Sequence, residues 1–134
     1  MKLKFLAVLA ALGFLAGCSL EGDNDNNNCY TRAYMAATAV TGPDSTTVNT
    51  PVNFNVSFKV VNSCGTFVGF QQFNTTFPRQ IGVTVDYTGC NCTDTSTILT
   101  KPYEFKPTVA GSYILHFLTE DPNFPIVKTI VVTQ

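Results

Sequence analysis

The 134-residue sequence predicts an all-β fold, a single sandwich of two sheets with about seven antiparallel strands. Three observations support this prediction. Apolar and polar residues alternate along several segments, which is typical of strands with one buried face. Clusters of turn-forming residues separate these segments. No window beyond the N-terminal apolar run has a helical repeat with caps.

The clearest strand covers Val52–Val60, where Val, Phe, Val, Phe and Val alternate with polar residues. Residues 81–87 repeat this alternation, and residues 113–117 give a third strand whose second face, with Ile114, His116 and Leu118, is also largely apolar. Ile126–Thr133 is β-branched almost throughout. Less regular candidates are residues 34–41, 67–74 and 103–106. Turn signals lie at residues 42–45, 62–65, 110–112 and 121–123.

The N-terminus begins with two lysines and continues with an apolar run over residues 5–16, which ends in Leu15-Ala16-Gly17-Cys18. This arrangement resembles the signal peptide and lipobox of bacterial lipoproteins. The resemblance implies cleavage before Cys18, a diacylglycerol thioether on its sulfur, and an acyl chain such as palmitate on its new amino group. A transmembrane helix is the less favoured alternative, because spanning a bilayer takes about 20 apolar residues. A secretory signal cut at another position is a second alternative.

Processing would divide the chain into a signal peptide (1–17), a lipidated cysteine with a tether (18–28) and one domain (29–134). The eight basic residues lose Lys2 and Lys4, so six face nine acidic residues and the net charge becomes −3. The domain itself carries six of each sign. This balance predicts neither a nucleic-acid surface nor a polybasic membrane patch.

The tether, residues 19–28, is rich in Asp, Asn and Gly and has one apolar residue, so we expect it to be disordered. The simplest interpretation is a spacer between lipid and domain. Its acidic residues Glu21, Asp23 and Asp25 also resemble the surface-export signal of Bacteroidota-type lipoproteins. That resemblance implies an outer-membrane protein exposed at the cell surface.

Four cysteines remain once Cys18 is lipidated: Cys29, Cys64, Cys90 and Cys92. An even number in an exported domain predicts two disulfides. A Cys90–Cys92 bridge would close a very tight ring, so we expect Cys29 and Cys64 each to bond to one cysteine of that turn, with the pairing left open. The alternative is a metal or redox site on the C-x-C pair. Neither the zinc spacing nor the C-x-x-C spacing is present, so we expect no metal.

Residues 110–115, Ala-Gly-Ser-Tyr-Ile-Leu, resemble the turn and Gly-x-Tyr that open strand F of immunoglobulin-like domains. The resemblance implies an immunoglobulin-like sandwich in which Tyr113 bonds through its hydroxyl to upstream backbone. Leu115 stands where antibody-type domains have their second cysteine, and the chain has no tryptophan. The resemblance therefore extends to the general sandwich and not to its antibody-type core.

No motif of nucleophile, base and orienting group is present, nor a phosphate-binding loop, so we expect a non-catalytic protein without a cofactor. His116 has no acidic neighbour in sequence and is expected on a sheet surface. Asp44-Ser45-Thr46 resembles the acceptor of Bacteroidota-type O-glycosylation, which would modify Ser45.

Four phenylalanines, at positions 67, 70, 73 and 77, follow one another at spacings of three, three and four. A regular strand cannot place all four rings on one face, so either the strand bulges or some rings are exposed. Core packing is the simplest interpretation. Alternatively, Phe70, Phe73 and Phe77 form an aromatic surface that contacts a sugar or an envelope protein. The sequence thus predicts a binding or adhesion module, or else a structural subunit that has no soluble ligand.

Overall fold

The structure is a computed structural model that describes residues 29–134, which form nine β-strands in two packed sheets. In chain order the strands are β1 (Tyr30–Met35), β2 (Ala37–Thr41), β3 (Ser45–Thr47), β4 (Val52–Val60), β5 (Gly65–Gln72), β6 (Arg79–Thr88), β7 (Thr97–Phe105), β8 (Gly111–Phe117) and β9 (Ile126–Thr133). Within these residues there is no helix, and so none that could cross a bilayer. The prediction of an all-β fold with two sheets is confirmed.

The larger sheet has six strands and is organised around β6. β5 pairs with one edge of β6, while β1 and β8 lie end to end along the other edge. β9 and the short β3 extend the sheet beyond β8. The smaller sheet has the order β2-β4-β7 and is antiparallel throughout.

The strand number and pairing differ from the expected seven antiparallel strands. Two pairs, β6 with β8 and β3 with β9, are parallel. The predicted segment 34–41 divides at Ala36, where the chain leaves the larger sheet as β1 ends and joins the smaller one as β2. β3 begins at Ser45, the last residue of the predicted turn at 42–45, and was not expected, because three residues carry too little alternation to indicate a strand.

The core lies between the sheets and is built by the alternation seen in the sequence. On β4, Phe54, Val56 and Phe58 point inward and are fully buried, while Asn53 and Asn55 face solvent. The opposite wall has the inward residues of β6, β8 and β9: Ile81, Val83, Val85, Leu115, Phe117, Ile130 and Val132. Because these rings and branched side chains are removed from water, they supply most of the favourable free energy of folding.

The direction of β6 gives the domain two distinct ends. Its last residues lie beside Tyr30 and Gly65, so Cys29, where the described chain begins, is at that end together with the loops that follow β4 and β6. Its first residue, Arg79, is at the other end with the β5–β6 loop. Ten residues of strand separate the two by about 30 Å. We call them the disulfide end and the distal end.

Candidate binding surface

Two disulfides connect the chain segments at the disulfide end, and the prediction of two bridges is confirmed. Cys29 is bonded to Cys90 and Cys64 to Cys92, with Cα atoms 5.0 Å and 5.5 Å apart, which settles the pairing that the sequence left open. Because all four cysteines are bonded to one another, none is a thiolate available to a metal. Cys18 and the tether acids lie outside the described residues.

A bulge divides the four phenylalanines between the core and the surface. The register of β5 against β6 shifts between Phe67 and Gly69, which brings Phe67 and Phe70 to the inner face together. Phe67 packs on Phe58 with ring centroids 5.6 Å apart, and Phe70 packs on Tyr103 at 5.4 Å. Phe70 is thus half-buried in the core, and the exposed rings of the set are Phe73 and Phe77.

Phe73 lies on the outer face of the larger sheet and is 45% exposed. Its ring meets that of Tyr34, itself 59% exposed, in an edge contact with centroids 5.2 Å apart. The ring also covers Gly82, where an added Cβ would lie only 2.7 Å from Cε2 of Phe73. A glycine in the middle of β6 therefore makes room for an aromatic pair that remains open to solvent.

Phe77 lies at the distal end, in the loop that precedes β6, and is 37% exposed. Its ring packs against Tyr113 and Phe105, with centroids 4.8 Å and 6.3 Å away. The guanidinium carbon of Arg79 lies over the same ring, 4.5 Å from its centroid, which is within the range of a cation–π interaction. An aromatic ring and a cation are thus held together at the distal end of the sandwich.

The charge of Arg79 is not matched by an acid. Within residues 29–134 the one ion pair joins Arg32 and Asp86, so Arg79 has no carboxylate partner there. Its Nε is buried and is the one buried side-chain nitrogen or oxygen of the described residues without a hydrogen-bond partner. The rest of the side chain is half-buried at the edge of the core. No carboxylate of residues 29–134 therefore offsets the positive charge of this guanidinium.

Tyr103 connects Arg79 to a further polar side chain, Gln72. Gln72 at the end of β5 donates a hydrogen bond from Nε2 to Oη of Tyr103, 3.1 Å away. Burial raises the pKa of the Tyr103 hydroxyl, and hydrogen bonding with Arg79 and its positive charge oppose that rise. The Tyr103 hydroxyl therefore stays protonated and neutral, and it leaves the positive charge of Arg79 uncompensated. We call Phe77 and Arg79, together with Tyr103 and its hydrogen-bond partner Gln72, the distal aromatic–arginine site.

Arg32 gives a direct contrast within the same sheet. On β1 it lies opposite Asp86 of β6, and its Nε and Nη2 donate to the two carboxylate oxygens at 2.6 and 2.7 Å. Hydrogen bonding to Arg32 holds the pKa of Asp86 below its ordinary value, and the same pairing raises the pKa of Arg32. One of the domain's two arginines is therefore neutralised by an acid, whereas the other lies over the aromatic ring of Phe77.

The other predicted site residues are separate from this site. Ser45 is exposed at the start of β3, an edge of the larger sheet, and His116 is half-buried on the outer side of β8. A groove of ≈ 530 Å³ lies where β1 passes into β2, with Tyr34, Lys59 and Glu120 among its lining residues. In the described part of the chain, no three or more His, Cys, Asp or Glu side chains are grouped so that they could hold a metal ion.

Comparison of the chain with protein-family models, with curated proteins and with solved structures finds no match. The functional interpretation therefore depends on the residues and their geometry. Sequence reasoning identified Phe77 but missed Arg79. The sequence contains a signal for it, because Arg79 continues the alternating, otherwise apolar inward face of β6. Apolar packing alone does not explain a charged side chain at such a position.

Proposed function

We propose that this protein is a membrane-anchored lipoprotein of the cell envelope, held in the outer membrane by an acylated Cys18, whose domain is a non-catalytic binding or adhesion module exposed at the surface. One observation carries the proposal. The anchored segment joins the domain at Cys29, while the exposed ring of Phe77 lies at the other end, about 30 Å away. An anchor at one end and an aromatic surface at the other is the arrangement that presents a binding site away from a membrane.

The lipid anchor is tested on the full chain by replacing Cys18 with alanine. The wild-type chain should incorporate a labelled fatty acid and shorten by 17 residues, whereas Cys18→Ala should remain unprocessed and unlabelled. Labelling of the variant would refute the anchor. Protease or antibody access to the domain on intact cells tests whether it faces the outside.

The binding function is tested by measuring retention of the processed protein on a panel of immobilised glycans and envelope fractions. Phe77→Ala should reduce retention, because it removes the exposed ring at the distal end. Phe124→Ala is the matched control, since Phe124 is 74% exposed, lies in the β8–β9 loop and takes part in no ring cluster of the described residues. Equal retention of both variants and the wild type would refute a role for this surface.

The second candidate is a structural subunit that packs against envelope partners and has no soluble ligand. Its support is the outer edge of β5, which pairs with no other described strand and exposes Val68. An unpaired edge can accept a strand from another chain. Sedimentation of the processed protein with and without envelope extract, and cross-linking at β5, would separate this role from ligand binding.

We also propose that the sandwich is immunoglobulin-like and that Ser45 is glycosylated. The first is supported by the hydrogen bond that Tyr113 donates from Oη to the carbonyl of Val109, 2.7 Å away, as the resemblance implied. The parallel pairing of β6 with β8 is a departure from that fold. The second is supported by the exposure of Ser45. An intact mass equal to lipid plus bare polypeptide would refute the modification.

A further inference from the structure

We infer that the distal aromatic–arginine site binds a sugar that carries a carboxylate, a uronic acid, with the sugar ring on Phe77 and the carboxylate on Arg79. The inference deepens the proposed binding function and depends on it. It adds the chemical class of the ligand and a specificity-determining residue, neither of which follows from an exposed aromatic ring alone.

The charge requirement follows from Arg79. A half-buried guanidinium is usually matched by a carboxylate, as Arg32 is by Asp86 on the same sheet. Arg79 instead lies over the ring of Phe77, and the Tyr103 hydroxyl, with which it hydrogen bonds, is neutral. The complementary group is an anion that comes from outside the domain. A carboxylate suits the planar guanidinium, because it can accept two parallel hydrogen bonds.

The sugar requirement follows from Phe77. The ring is fixed by edge contacts with Tyr113 and Phe105, yet more than a third of it remains exposed beside the cation. A rigid, flat apolar surface matches the C–H face of a pyranose ring, and holding it in place lowers the entropy cost of binding. In a uronic acid the carboxylate is attached to that ring, so one small unit can reach both groups, which are two residues apart in the chain.

The experiment uses the processed protein and two trisaccharides that differ only in charge: tri-galacturonic acid and the same trisaccharide with its carboxylates reduced to alcohols. Affinities are measured by calorimetry at low and at physiological salt, with hexaglutamate as an acidic peptide. The variants are Arg79→Gln, Arg79→Lys and Phe77→Ala. Lys101→Gln is the charge-matched control, since the Lys101 ammonium also lies over a ring, that of Phe67 at 5.8 Å, but on a different strand.

The wild type should bind the acidic trisaccharide about 10- to 100-fold more tightly than the reduced one, the range for hydrogen bonds to a charged group. Arg79→Gln should abolish that preference, and Arg79→Lys should keep part of it, which guards against a Gln variant that folds poorly. Phe77→Ala should weaken binding of both sugars. Lys101→Gln should leave the preference unchanged.

Three results would overturn the inference. Equal affinity for the two trisaccharides would show a neutral-sugar site, and the proposed binding function would survive. Binding of hexaglutamate as tight as that of the acidic sugar would show that charge alone is recognised. No binding of either sugar by a protein that retains Phe77-dependent ligands on the panel would refute the uronic acid and leave the module in place.

Discussion

Replacing Phe73 and Phe58 separately with alanine tests how the structure divides its aromatic residues between surface and core. Full burial of a phenylalanine side chain contributes about 1.5–3 kcal/mol. Phe73 is 45% exposed and its removal leaves no closed cavity, so Phe73→Ala should destabilise the domain by about 1 kcal/mol. Phe58 has no exposed surface, and Phe58→Ala adds a cavity cost to the lost burial, about 3–5 kcal/mol in all.

The assay is urea unfolding of the processed protein with its disulfides intact, followed by the change in tyrosine fluorescence. Phe124→Ala, at the most exposed of these rings, should change stability by no more than about 0.5 kcal/mol. The slopes of the unfolding curves should agree among the variants, so that midpoints can be compared. If Phe73→Ala cost as much as Phe58→Ala, the ring would belong to the core and the open Tyr34–Phe73 pair would be refuted.

Three further outcomes are expected. Replacing both Cys64 and Cys92 by alanine removes a bridge over 28 residues and should cost about 3–4 kcal/mol in urea unfolding; a loss below about 1 kcal/mol would contradict the chain-entropy argument. Hydrogen bonding to Arg32 lowers the pKa of Asp86, so the ionised carboxylate stabilises the fold fully at pH values above its ordinary pKa of 3.8. This contribution is lost as the pH falls through the lowered pKa. Wild type and Asp86→Asn should therefore converge in stability in acid, and a widening gap would contradict the pairing. Tyr113→Phe should lower stability by about 1 kcal/mol, because it removes the hydrogen bond to upstream backbone, and an unchanged midpoint would show that the bond is not significant.

Local pattern predicted those strands that are buried on one side and paired along their whole length. The bounds of β4 and β9 agree with the sequence prediction, because alternation and β-branching continue to the last residue of each. β7 begins at Thr97, six residues before the predicted segment, since the adjacent Ile98 and Leu99 break the alternation and Pro102 argues against a strand. An edge strand tolerates proline, because one of its sides needs no backbone donor.

The alternation of apolar and polar residues within a segment does not indicate which strands pair with each other. The division at Ala36 and the parallel contact of β3 with β9 depend on residues that are distant in sequence. The same applies to the binding surface. Spacing indicated that the phenylalanines could not share a face, but only the bulge after Phe67 shows which rings turn inward. Arg79 indicates a binding site because no carboxylate of the described residues pairs with it, and only the three-dimensional structure shows which groups surround a side chain.

The Cys29–Cys90 bridge determines how the domain responds to mechanical force. A pull on the chain before Cys29 does not act on the hydrogen bonds of β1, because the covalent bridge passes the load directly to the end of β6. The neighbouring Cys64–Cys92 bridge extends this path to the start of β5, the hairpin partner of β6. Tension therefore enters at β6, around which the larger sheet is organised, and at its edge partner β5, and β1 cannot be peeled away first. A protein held by its N-terminus under shear would keep its distal end folded while the attachment is under load.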